Sequence, residues 1–366
     1  MTPSDDERDL LALHLVTGIG PRLTAALLDH FGSASAVLRA SVSELREIPY
    51  MPVKVAEALP AALANPDVAR ECSEIAKHGV HLRVKGRPDF PACLATIDDA
   101  PHLLFVRGKI EPGDEKAVAV VGSRGCTSYG KRMAERIAHD LALAGWTVVS
   151  GLARGIDGCA HRGALKAKGR TIAVLAGGLS RIYPPEHAEL AMEVAESGAL
   201  VTESCMAMEP MATLFPARNR IISGLSRAVV IIEAAEKSGA LITARLAAEQ
   251  GREVFAVPGP VDSVASAGTL QLLRKGARLV RHADDILDDL QELPRLVESE
   301  TPVQSAQPAG LDALQQRVWE ALAERRQVDD LTVQLELPVA ELSRCLMALE
   351  LKKVVRRLPG NYYKRN

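Results

Sequence analysis

The sequence predicts an α/β protein built on a doubly wound parallel sheet, with an all-helical segment before the sheet and a small helix-and-hairpin domain after it. Two observations lead to this prediction. Short apolar runs alternate with helix-like stretches between residues 105 and 290, and continuous rather than alternating runs indicate strands covered on both faces. At 366 residues the chain is also too long for one compact core, so two or three domains are expected.

Composition and charge limit the class of protein. The net charge is −2, so any nucleic-acid site must come from local clustering of the 44 lysines and arginines. The six cysteines lie far apart, without a CxxC pair or a histidine at ligand spacing, which argues for a reducing compartment and against zinc or disulfides. The acidic N-terminus is unlike a signal peptide, and no apolar run approaches membrane-spanning length. We therefore expect a cytoplasmic protein without membrane insertion, metal or cofactor.

The N-terminal segment, residues 1–70, is predicted to be helical. GIGPRLTAALLDHFGS (18–33) has a Gly-Ile-Gly hairpin and then apolar residues at helical spacing, and SVSELREIPYMPVKVAEAL (41–59) repeats the unit without the hairpin glycines. Paired units of this kind resemble SAM-like or helix-hairpin-helix domains. Hairpin glycines let backbone N–H groups approach a phosphate, but a purely structural helical cap explains the pattern equally well, and both interpretations stay open.

The core, residues 71–290, supplies the sheet. Its predicted strands are six short apolar runs: AVAVVGS (117–123), WTVVSG (146–151), RTIAVLAGG (170–178), ALVTES (199–204), AVVIIEAA (228–235) and REVFAVPG (252–259). In sheets of this kind ligands bind beyond the carboxyl ends of the strands. The residues that follow each run are therefore the candidate site.

Beyond the core, residues 291–310 are rich in Pro, Ser, Gln and Glu and are predicted to form a linker. Residues 311–366 contain three helical stretches and then VVRRLPGNYYKR (354–365), which has the alternation and central Pro-Gly of a hairpin. Helix-turn-helix followed by a hairpin is the outline of a winged-helix domain. Such modules bind either DNA or proteins, and the sequence leaves that choice open.

The first strand ends in GSRGCTSYG (122–130), followed by an amphipathic helix. A Gly-Ser step at the start of a helix supplies free N–H donors and the positive end of the helix dipole, and Arg124 adds a charged fork to the turn. The dinucleotide pattern GxGxxG and the nucleotide-triphosphate pattern GxxxxGK[ST] are both absent. The turn therefore indicates an anion site without ATP hydrolysis.

The second strand ends in GLARGIDGCAHRGAL (151–165), a turn leading to a helix that we expect to be N-capped near Asp157. His161 has no Ser or Cys nucleophile with a matching base beside it, so we interpret it as a packing or polar-contact histidine. Arg170 precedes the third strand. On pattern alone, Arg170 lies at the opposite end of that strand from the candidate site.

The stretch FPARNRIISGLS (215–226) lies between the fourth and fifth strands. Phe215-Pro216 is predicted to be extended, because the residue before proline avoids helical geometry, and a helix is expected to start near Ala217. Its first turn would then contain Arg218, Asn219 and Arg220. Cations there oppose the helix dipole unless an anion binds; the alternative is that these arginines pair with carboxylates such as Glu203 or Glu233.

The fifth strand ends in EAAEKSGALITARLAAEQG (233–251), a turn containing Gly239, with Ser238 and Thr243 able to offer hydroxyls. Several strand ends thus converge on one rim that combines N–H donors, arginines and the ring of Phe215. A phosphate chain needs the donors and the charge, and the ring indicates bases as well. Because duplex DNA hides its base faces, the rim predicts binding of single-stranded nucleic acid.

Together these stretches resemble the DNA-processing protein A (DprA/Smf) family. The similarity lies in GSR (122–124), SGLARGID (150–157), FPARNRIISGLS (215–226) and SGALITARLAAEQGREVFAVPG (238–259), and it covers the whole of residues 105–290. The resemblance implies an extended Rossmann fold that binds single-stranded DNA without catalysis. It further implies a homodimer that protects incoming DNA in natural transformation and loads the RecA recombinase onto it.

The resemblance also implies residue roles. Gly122, Ser123 and Arg124 would hold phosphates, Phe215 would stack on a base, and Arg218, Asn219 and Arg220 would line the same pocket. Arg170 stands where family members often have lysine and would also hold phosphates, which departs from its position predicted by pattern alone. The segment 255–290 is a plausible dimer surface, although no pattern singles out dimer or RecA contacts.

A second class of function stays open. Rossmann-like nucleoside-monophosphate phosphoribohydrolases (the lysine-decarboxylase-like type) also bind phosphates at such turns but have a PGGxGTxxE signature. This chain has EAAEKSGALITA at the corresponding place, without the double-glycine turn and the glutamate after it. Glu233 could only partly substitute for that glutamate.

Overall fold

The computed structural model describes residues 3–291, 311–322, 326–335, 337–352, 354–358 and 362–365. The chain divides into two compact units, Met1–Pro294 and Arg295–Asn366. Within the described residues no helix is both long enough and apolar enough to cross a membrane.

The first unit is built around a largely parallel sheet. Its strands are β1 (Val80–Val84), β2 (Leu103–Gly108), β3 (Ala117–Val121), β4 (Thr147–Ser150), β5 (Thr171–Val174), β6 (Ala199–Thr202), β7 (Ala228–Ile231), β8 (Glu253–Ala256) and β9 (Arg278–Leu279). They are hydrogen-bonded in the order β1-β2-β6-β5-β4-β3-β7-β8-β9. Only β1–β2 and β2–β6 are antiparallel among the described strands of this sheet.

The predicted doubly wound sheet is confirmed, since all six predicted runs form strands, β3 to β8. Every residue of β3, β4, β5, β6 and β7 is buried, as expected for strands covered on both faces. The prediction missed β1, β2 and β9. The first two form an antiparallel edge before the alternating segment, and the third is only two residues long.

Helices cover both faces of this sheet. In chain order they are α1 (Asp5–His14), α2 (Pro21–Phe31), α3 (Ala34–Arg39), α4 (Val42–Leu45), α5 (Val53–Ala58), α6 (Pro66–Lys77), α7 (Ala92–Ala95), α8 (Ser128–Leu143), α9 (Ile156–Lys166), α10 (Ala188–Ser197), α11 (Leu214–Gly224), α12 (Gly239–Glu249), α13 (Ala267–Arg274) and α14 (Ala283–Gln291). One face of the central strands packs against α11 and α12, and the other packs against α8 and α9.

The N-terminal segment is helical, as predicted, and it shares a hydrophobic core with the sheet. Leu13 of α1 and Leu27 of α2 belong to the same buried cluster as Phe105 of β2 and Leu200 of β6. The helices and the sheet therefore stabilise each other. The domain boundary near residue 70 stays a prediction.

The two helical hairpins achieve their turns in different ways. Gly18, before α2, has a φ of +96°, a conformation that glycine adopts without a steric penalty. The second hairpin, residues 41–59, has no glycine. Its turn contains Tyr50, between α4 and α5, which takes a φ of 63° while its side chain is fully exposed. Whether either hairpin contacts phosphates stays a prediction.

The second unit has the predicted winged-helix outline. It contains α15 (Ala313–Ala321), β10 (Arg326–Gln327), α16 (Val328–Leu335), α17 (Val339–Leu351), β11 (Val355–Leu358) and β12 (Tyr362–Arg365), with a sheet in the order β10-β12-β11. Val318, Leu331 and Leu346 form its core. The predicted linker, apart from Gln291 at the end of α14, lies outside the described residues.

Candidate nucleic-acid interface

A cavity of about 400 Å³ opens at the carboxyl ends of β3 and β7. In the sheet β3 lies between β4 and β7, and the chain leaves β3 toward β4 and returns later to β7. This is the topological switch point at which open α/β sheets bind ligands. The lining comes mainly from the turn after β3, from one face of α11 and from the start of α12: Val121, Gly122, Ser123, Arg124, Gly125, Ala153, Asp157, Phe215, Pro216, Arg218, Asn219, Ile222, Ser238, Gly239, Ala240, Ile242 and Thr243.

The turn after β3 supplies backbone donors. Packing requires Gly122, because a Cβ there would lie 2.7 Å from Cγ1 of Ile156. The backbone N–H of Ser123 donates to the carbonyl of Glu233 at 2.8 Å and is not available to a ligand. The Ser123 hydroxyl is a separate group in the cavity lining that a ligand can contact. Within the described part of the chain, the backbone N–H groups of Arg124 and Gly125 have no hydrogen-bond acceptor. These two donors and the exposed Arg124 side chain can bind an anion.

The start of α12 forms the opposite side of the cavity. Ser238 is the N-cap residue, and its hydroxyl accepts from the backbone N–H of Ala240 at 3.3 Å. Gly239 is exposed at the first helical position, whereas Thr243 is 2% exposed. No acidic residue occurs in this fully described first turn. The positive end of the α12 dipole therefore faces the cavity without a carboxylate in its own first turn to oppose it.

Helix α11 starts earlier than predicted. It begins at Leu214 rather than near Ala217, so Phe215 is helical and not extended. Pro216 is tolerated because the first N–H groups of a helix have no intrahelical acceptor to lose. As a consequence, Arg218 and Arg220 lie in the second turn rather than the first.

The ring of Phe215 is half-buried at the edge of the cavity. The guanidinium carbon of Arg124 lies 4.6 Å from its centroid, and that of Arg218 lies 6.0 Å from it. Both distances are within the range of cation–π attraction. One aromatic ring thus brings together two cations from separate parts of the chain.

Arg218 is buried with incomplete hydrogen bonding. Its Nη1 donates to the carbonyl of Val174 at 2.8 Å, but its Nε has no partner among the described residues. The side chain lies across Gly151, where a Cβ would be 1.6 Å from Nη1. Burial lowers the pKa of Arg218 to about 10, so the guanidinium remains protonated at neutral pH.

Asp157 is the acidic side chain of the cavity lining. It is 6% exposed and accepts from the backbone N–H of Ala153 at 3.3 Å. Burial raises the pKa of its carboxyl, and the nearby charge of Arg218 acts in the opposite direction. The predicted helix cap at this residue is wrong: α9 begins at Ile156 with Gly155 as the N-cap residue. Gly155 takes that place because the backbone there has a φ of +76°.

Asn219 lines the cavity but Arg220 does not, contrary to prediction. Arg220 is buried, donates from Nη2 to Glu203, and places Nε 3.4 Å from a carboxylate oxygen of Asp99. Helical periodicity explains the separation, since residues 215, 218, 219 and 222 share one face of α11 and residue 220 faces elsewhere. For Arg220 the alternative of pairing with Glu203 is therefore correct.

Arg170 also lies away from the cavity. It is at the amino end of β5, where Nε donates to Asp114 at 2.7 Å and Nη2 donates to the carbonyl of Lys109 at 2.8 Å. Its position agrees with the prediction from pattern alone and not with the pocket implied by the family resemblance. A phosphate in the cavity is therefore out of its reach, because the cavity is at the carboxyl ends of the strands.

Two further polar residues are accounted for structurally. Glu233 is buried and accepts from the backbone N–H and the hydroxyl of Thr127, the N-cap residue of α8. Glu233 therefore pairs with Thr127 and not with an arginine. His161 is fully buried with Nδ1 2.8 Å from the hydroxyl oxygen of Thr171, in agreement with a packing histidine. Burial lowers the pKa of His161 to about 3.

The structure therefore brings nine of the eleven predicted residues to one cavity and leaves out Arg170 and Arg220. Sequence reasoning missed Tyr183, which lies next to Phe215, and Arg154, which lies over the ring of Tyr183. Arg154 could have been found as the cation in the turn after β4. Tyr183 gave no signal, because it lies well beyond the end of β5. Among the described residues no group of acidic, histidine or cysteine side chains could hold a metal ion.

The arrangement suits a ligand that combines negative charge with a flat apolar surface. Neither Arg124 nor Arg218 has an ion-pair partner within the described residues. Backbone N–H groups and the α12 dipole add to their positive potential. Phe215 supplies the flat surface.

Comparisons with known proteins identify the family models and relatives that this chain matches. The family model described as DNA recombination-mediator protein A matches residues 81–291, a DprA winged helix domain matches residues 302–361, and a SAM-like helix-hairpin-helix tandem matches residues 8–65. Protein Smf of Escherichia coli strain K12 is 42% identical over 289 residues, covering 77% of this chain and 76% of that protein.

Solved structures show the same relationship. DNA processing protein A from Streptococcus pneumoniae superposes with a TM-score of 0.70 at 30% identity, covering 79% of this chain and 99% of that one. DNA processing protein A from Helicobacter pylori, whose structure concerns its single-stranded DNA binding mode, superposes with a TM-score of 0.52 at 30% identity, covering 58% of this chain and 95% of that one.

Proposed function

Because this chain belongs to the DNA recombination-mediator protein A family, we propose that it binds single-stranded DNA in the cavity at the ends of β3 and β7. The strand would be held by its backbone and by at least one unpaired base. In this proposal the protein binds DNA and does not change it chemically.

One observation supports this function above all others: Arg124 and Arg218 both lie against the ring of Phe215 and neither has an ion-pair partner among the described residues. Arg218 is buried with its Nε unpaired and with Asp157 near it but not within ion-pair distance, so its charge is incompletely compensated in the free protein. A phosphate in the cavity would compensate the charge of Arg218, whose side chain lines it. A base on Phe215 would contribute about 1–3 kcal/mol without regard to its sequence.

The geometry favours a single strand over a duplex. A volume of about 400 Å³ falls in the range of small-ligand sites and suits one nucleotide rather than a double helix. Stacking on Phe215 also requires the face of a base, which base pairs hide. The Helicobacter pylori relative binds single-stranded DNA, which supports the same ligand here.

We extend the proposal to the cellular role that the family resemblance implies. The protein would act in DNA processing during natural transformation, protect incoming single strands, and load RecA onto them in the cytoplasm. It would do so as a homodimer. The segment 255–290 offers a surface for this, because Val261 is 89% exposed, Val264 is 77% exposed and Leu279 is 51% exposed. Val264→Asp should then shift sedimentation from dimer to monomer.

The phosphoribohydrolase alternative receives no support from the site. Its chemistry would need a free acidic group beside the phosphate turn. Asp157 lines the cavity but accepts from the backbone N–H of Ala153 and lies near the charge of Arg218, and Glu233 is the candidate from the sequence. Both carboxylate oxygens of Glu233 are engaged by Thr127, and Glu233 does not line the cavity.

A gel-shift comparison tests the proposed function. The full chain is titrated against oligo-dT and against the matching duplex at the same salt concentration. We expect much tighter binding to the single strand. Equal affinity for both, or release of a free base from a nucleoside monophosphate, would contradict the proposal.

A further inference from the structure

Two adjacent aromatic rings with an arginine at each end form a row at the rim of the cavity. Arg124 lies over Phe215, Phe215 meets Tyr183 edge to face with ring centroids 6.0 Å apart, and the guanidinium carbon of Arg154 lies 5.7 Å from the centroid of Tyr183. Only Phe215 and Arg124 of this row line the cavity itself. The row therefore continues past the cavity onto the open surface.

The fold places this row across the carboxyl ends of neighbouring strands of the sheet. Arg124 directly follows β3 and Arg154 follows β4, which is its neighbour in the sheet, while Tyr183, in the longer segment after β5, is placed beside them by its contacts with Phe215 and Arg154. Neighbouring strands are about 4.8 Å apart. An extended strand of DNA lying across the strand ends would therefore pass from the cavity to Tyr183 and Arg154.

Both outer side chains are accessible. Tyr183 is 38% exposed. Only 3% of the residues in the chain are aromatic, and a ring at the surface buries little apolar area, so core packing does not explain this one. Arg154 donates from Nε to the carboxylate of Glu186 and from Nη1 to the hydroxyl of Tyr183 at 3.5 Å. The side chains of Arg154 and Glu186 are each 50% exposed, so exchanging this carboxylate for a phosphate costs little.

We propose that Tyr183 and Arg154 form a second nucleotide position next to the Phe215 cavity, with Tyr183 stacking on a base and Arg154 contacting a phosphate. This inference rests on the proposed function and extends it, because it sets the binding unit at two or more consecutive nucleotides. Glu186 holds Arg154 in place in the free protein. The DNA phosphate then replaces that carboxylate.

The test combines affinity with photocrosslinking of the full chain. Oligo-dT carrying one 5-iodouracil is irradiated with the protein, the label is moved along the strand, and the crosslinked residue is identified by mass spectrometry. We expect adducts at Phe215 and at Tyr183 from different label positions. Tyr183→Ala should weaken binding to oligo-dT about fivefold to a hundredfold, whereas Tyr183→Phe, which keeps the ring and loses only the hydroxyl, should recover most of that affinity.

The outcomes separate the two proposals. If the wild type does not bind oligo-dT, the proposed function fails and the second position fails with it. If the wild type binds but Tyr183→Ala binds equally well, or adducts form at Phe215 alone, only the second position is overturned. A loss with Tyr183→Ala while every adduct stays at Phe215 would mean that Tyr183 only supports the neighbouring ring, which also overturns it.

Discussion

The guanidinium carbon of Arg124 lies 4.6 Å from the centroid of the Phe215 ring, although the two residues come from different strand ends of the sheet. The contact joins a residue suited to phosphates with a residue suited to bases. A bound strand would use both, and the Arg124 side chain would have to share the ring with the incoming base. Phosphate attraction and base stacking are therefore coupled at this site.

Arg124→Ala should weaken binding to oligo-dT and flatten its salt dependence. Each phosphate neutralised contributes about −0.7 to the log–log slope of affinity against salt for single strands, so the slope should lose about that amount. Affinity is measured at several salt concentrations. Arg136→Ala, at an exposed position on α8, is the matched control and should keep the wild-type slope. An unchanged slope in Arg124→Ala would contradict the phosphate role.

Arg170→Ala and Arg220→Ala should destabilise the protein and leave the salt slope unchanged. Each removes the partner of a buried or partly buried carboxylate, Asp114 or Glu203, and breaking such a pair costs about 3–5 kcal/mol. Denaturant unfolding measures the free energy of unfolding, and DNA titration of the folded variants measures the slope. A flattened salt slope in either variant would mean that this arginine contacts a DNA phosphate, which would contradict the prediction.

Gly151→Ala should reduce affinity for single-stranded DNA through Arg218. The new Cβ would lie 1.6 Å from Nη1 of Arg218, so the guanidinium must move and lose its bond to the carbonyl of Val174. If the displaced guanidinium then loses one charge-assisted hydrogen bond to a DNA phosphate, about 1.5–3 kcal/mol of binding is lost, which corresponds to about tenfold or more in affinity. Gly113→Ala, where a Cβ meets nothing within 4 Å, is the control. Wild-type affinity in Gly151→Ala would show that the position of Arg218 does not matter.

The acid stability of the protein should depend on His161. Burial lowers its pKa from 6.5 to about 3, so the unfolded chain binds a proton there that the folded protein excludes. Stability is therefore fully present above about pH 6.5 and is lost as the pH falls toward 3. His161→Gln should reduce the slope of unfolding free energy against pH by about 1.4 kcal/mol per pH unit in the middle of that window. If the slope of unfolding free energy against pH is unchanged in His161→Gln, then His161 takes up a proton in the folded protein as readily as in the unfolded chain.

The sheet could be predicted from sequence because continuous apolar runs such as Ala117–Val121 have few alternatives to a doubly covered strand. The start of α11 could not, because the rule that the residue before proline avoids helical geometry fails in the first turn, where Pro216 lies. Arg218 and Arg220 are two positions apart, so helical periodicity alone would have separated them. Tertiary contacts then decide that Arg220 meets Glu203 and that Arg218 has no carboxylate partner among the described residues.

Arg170 shows a different limit. Its position before the third predicted strand, which is β5, correctly predicted that Arg170 lies at the amino end of that strand, away from the cavity. The family resemblance placed it in the pocket instead. Asp114 and the carbonyl of Lys109, which hold Arg170, come from a segment that the sequence pattern did not connect with it. The meeting of Tyr183 and Phe215 is likewise a long-range contact without a local sequence signal.

The most direct test of the central claim compares oligo-dT with an abasic strand of the same length, which has the same phosphates and no bases. If Phe215 stacks on a base while Arg124 and Arg218 hold the backbone, the wild type should prefer oligo-dT by at least about fivefold, and Phe215→Ala should reduce that preference by about fivefold to a hundredfold while keeping the salt slope. Equal wild-type affinity for the two strands would contradict the claim.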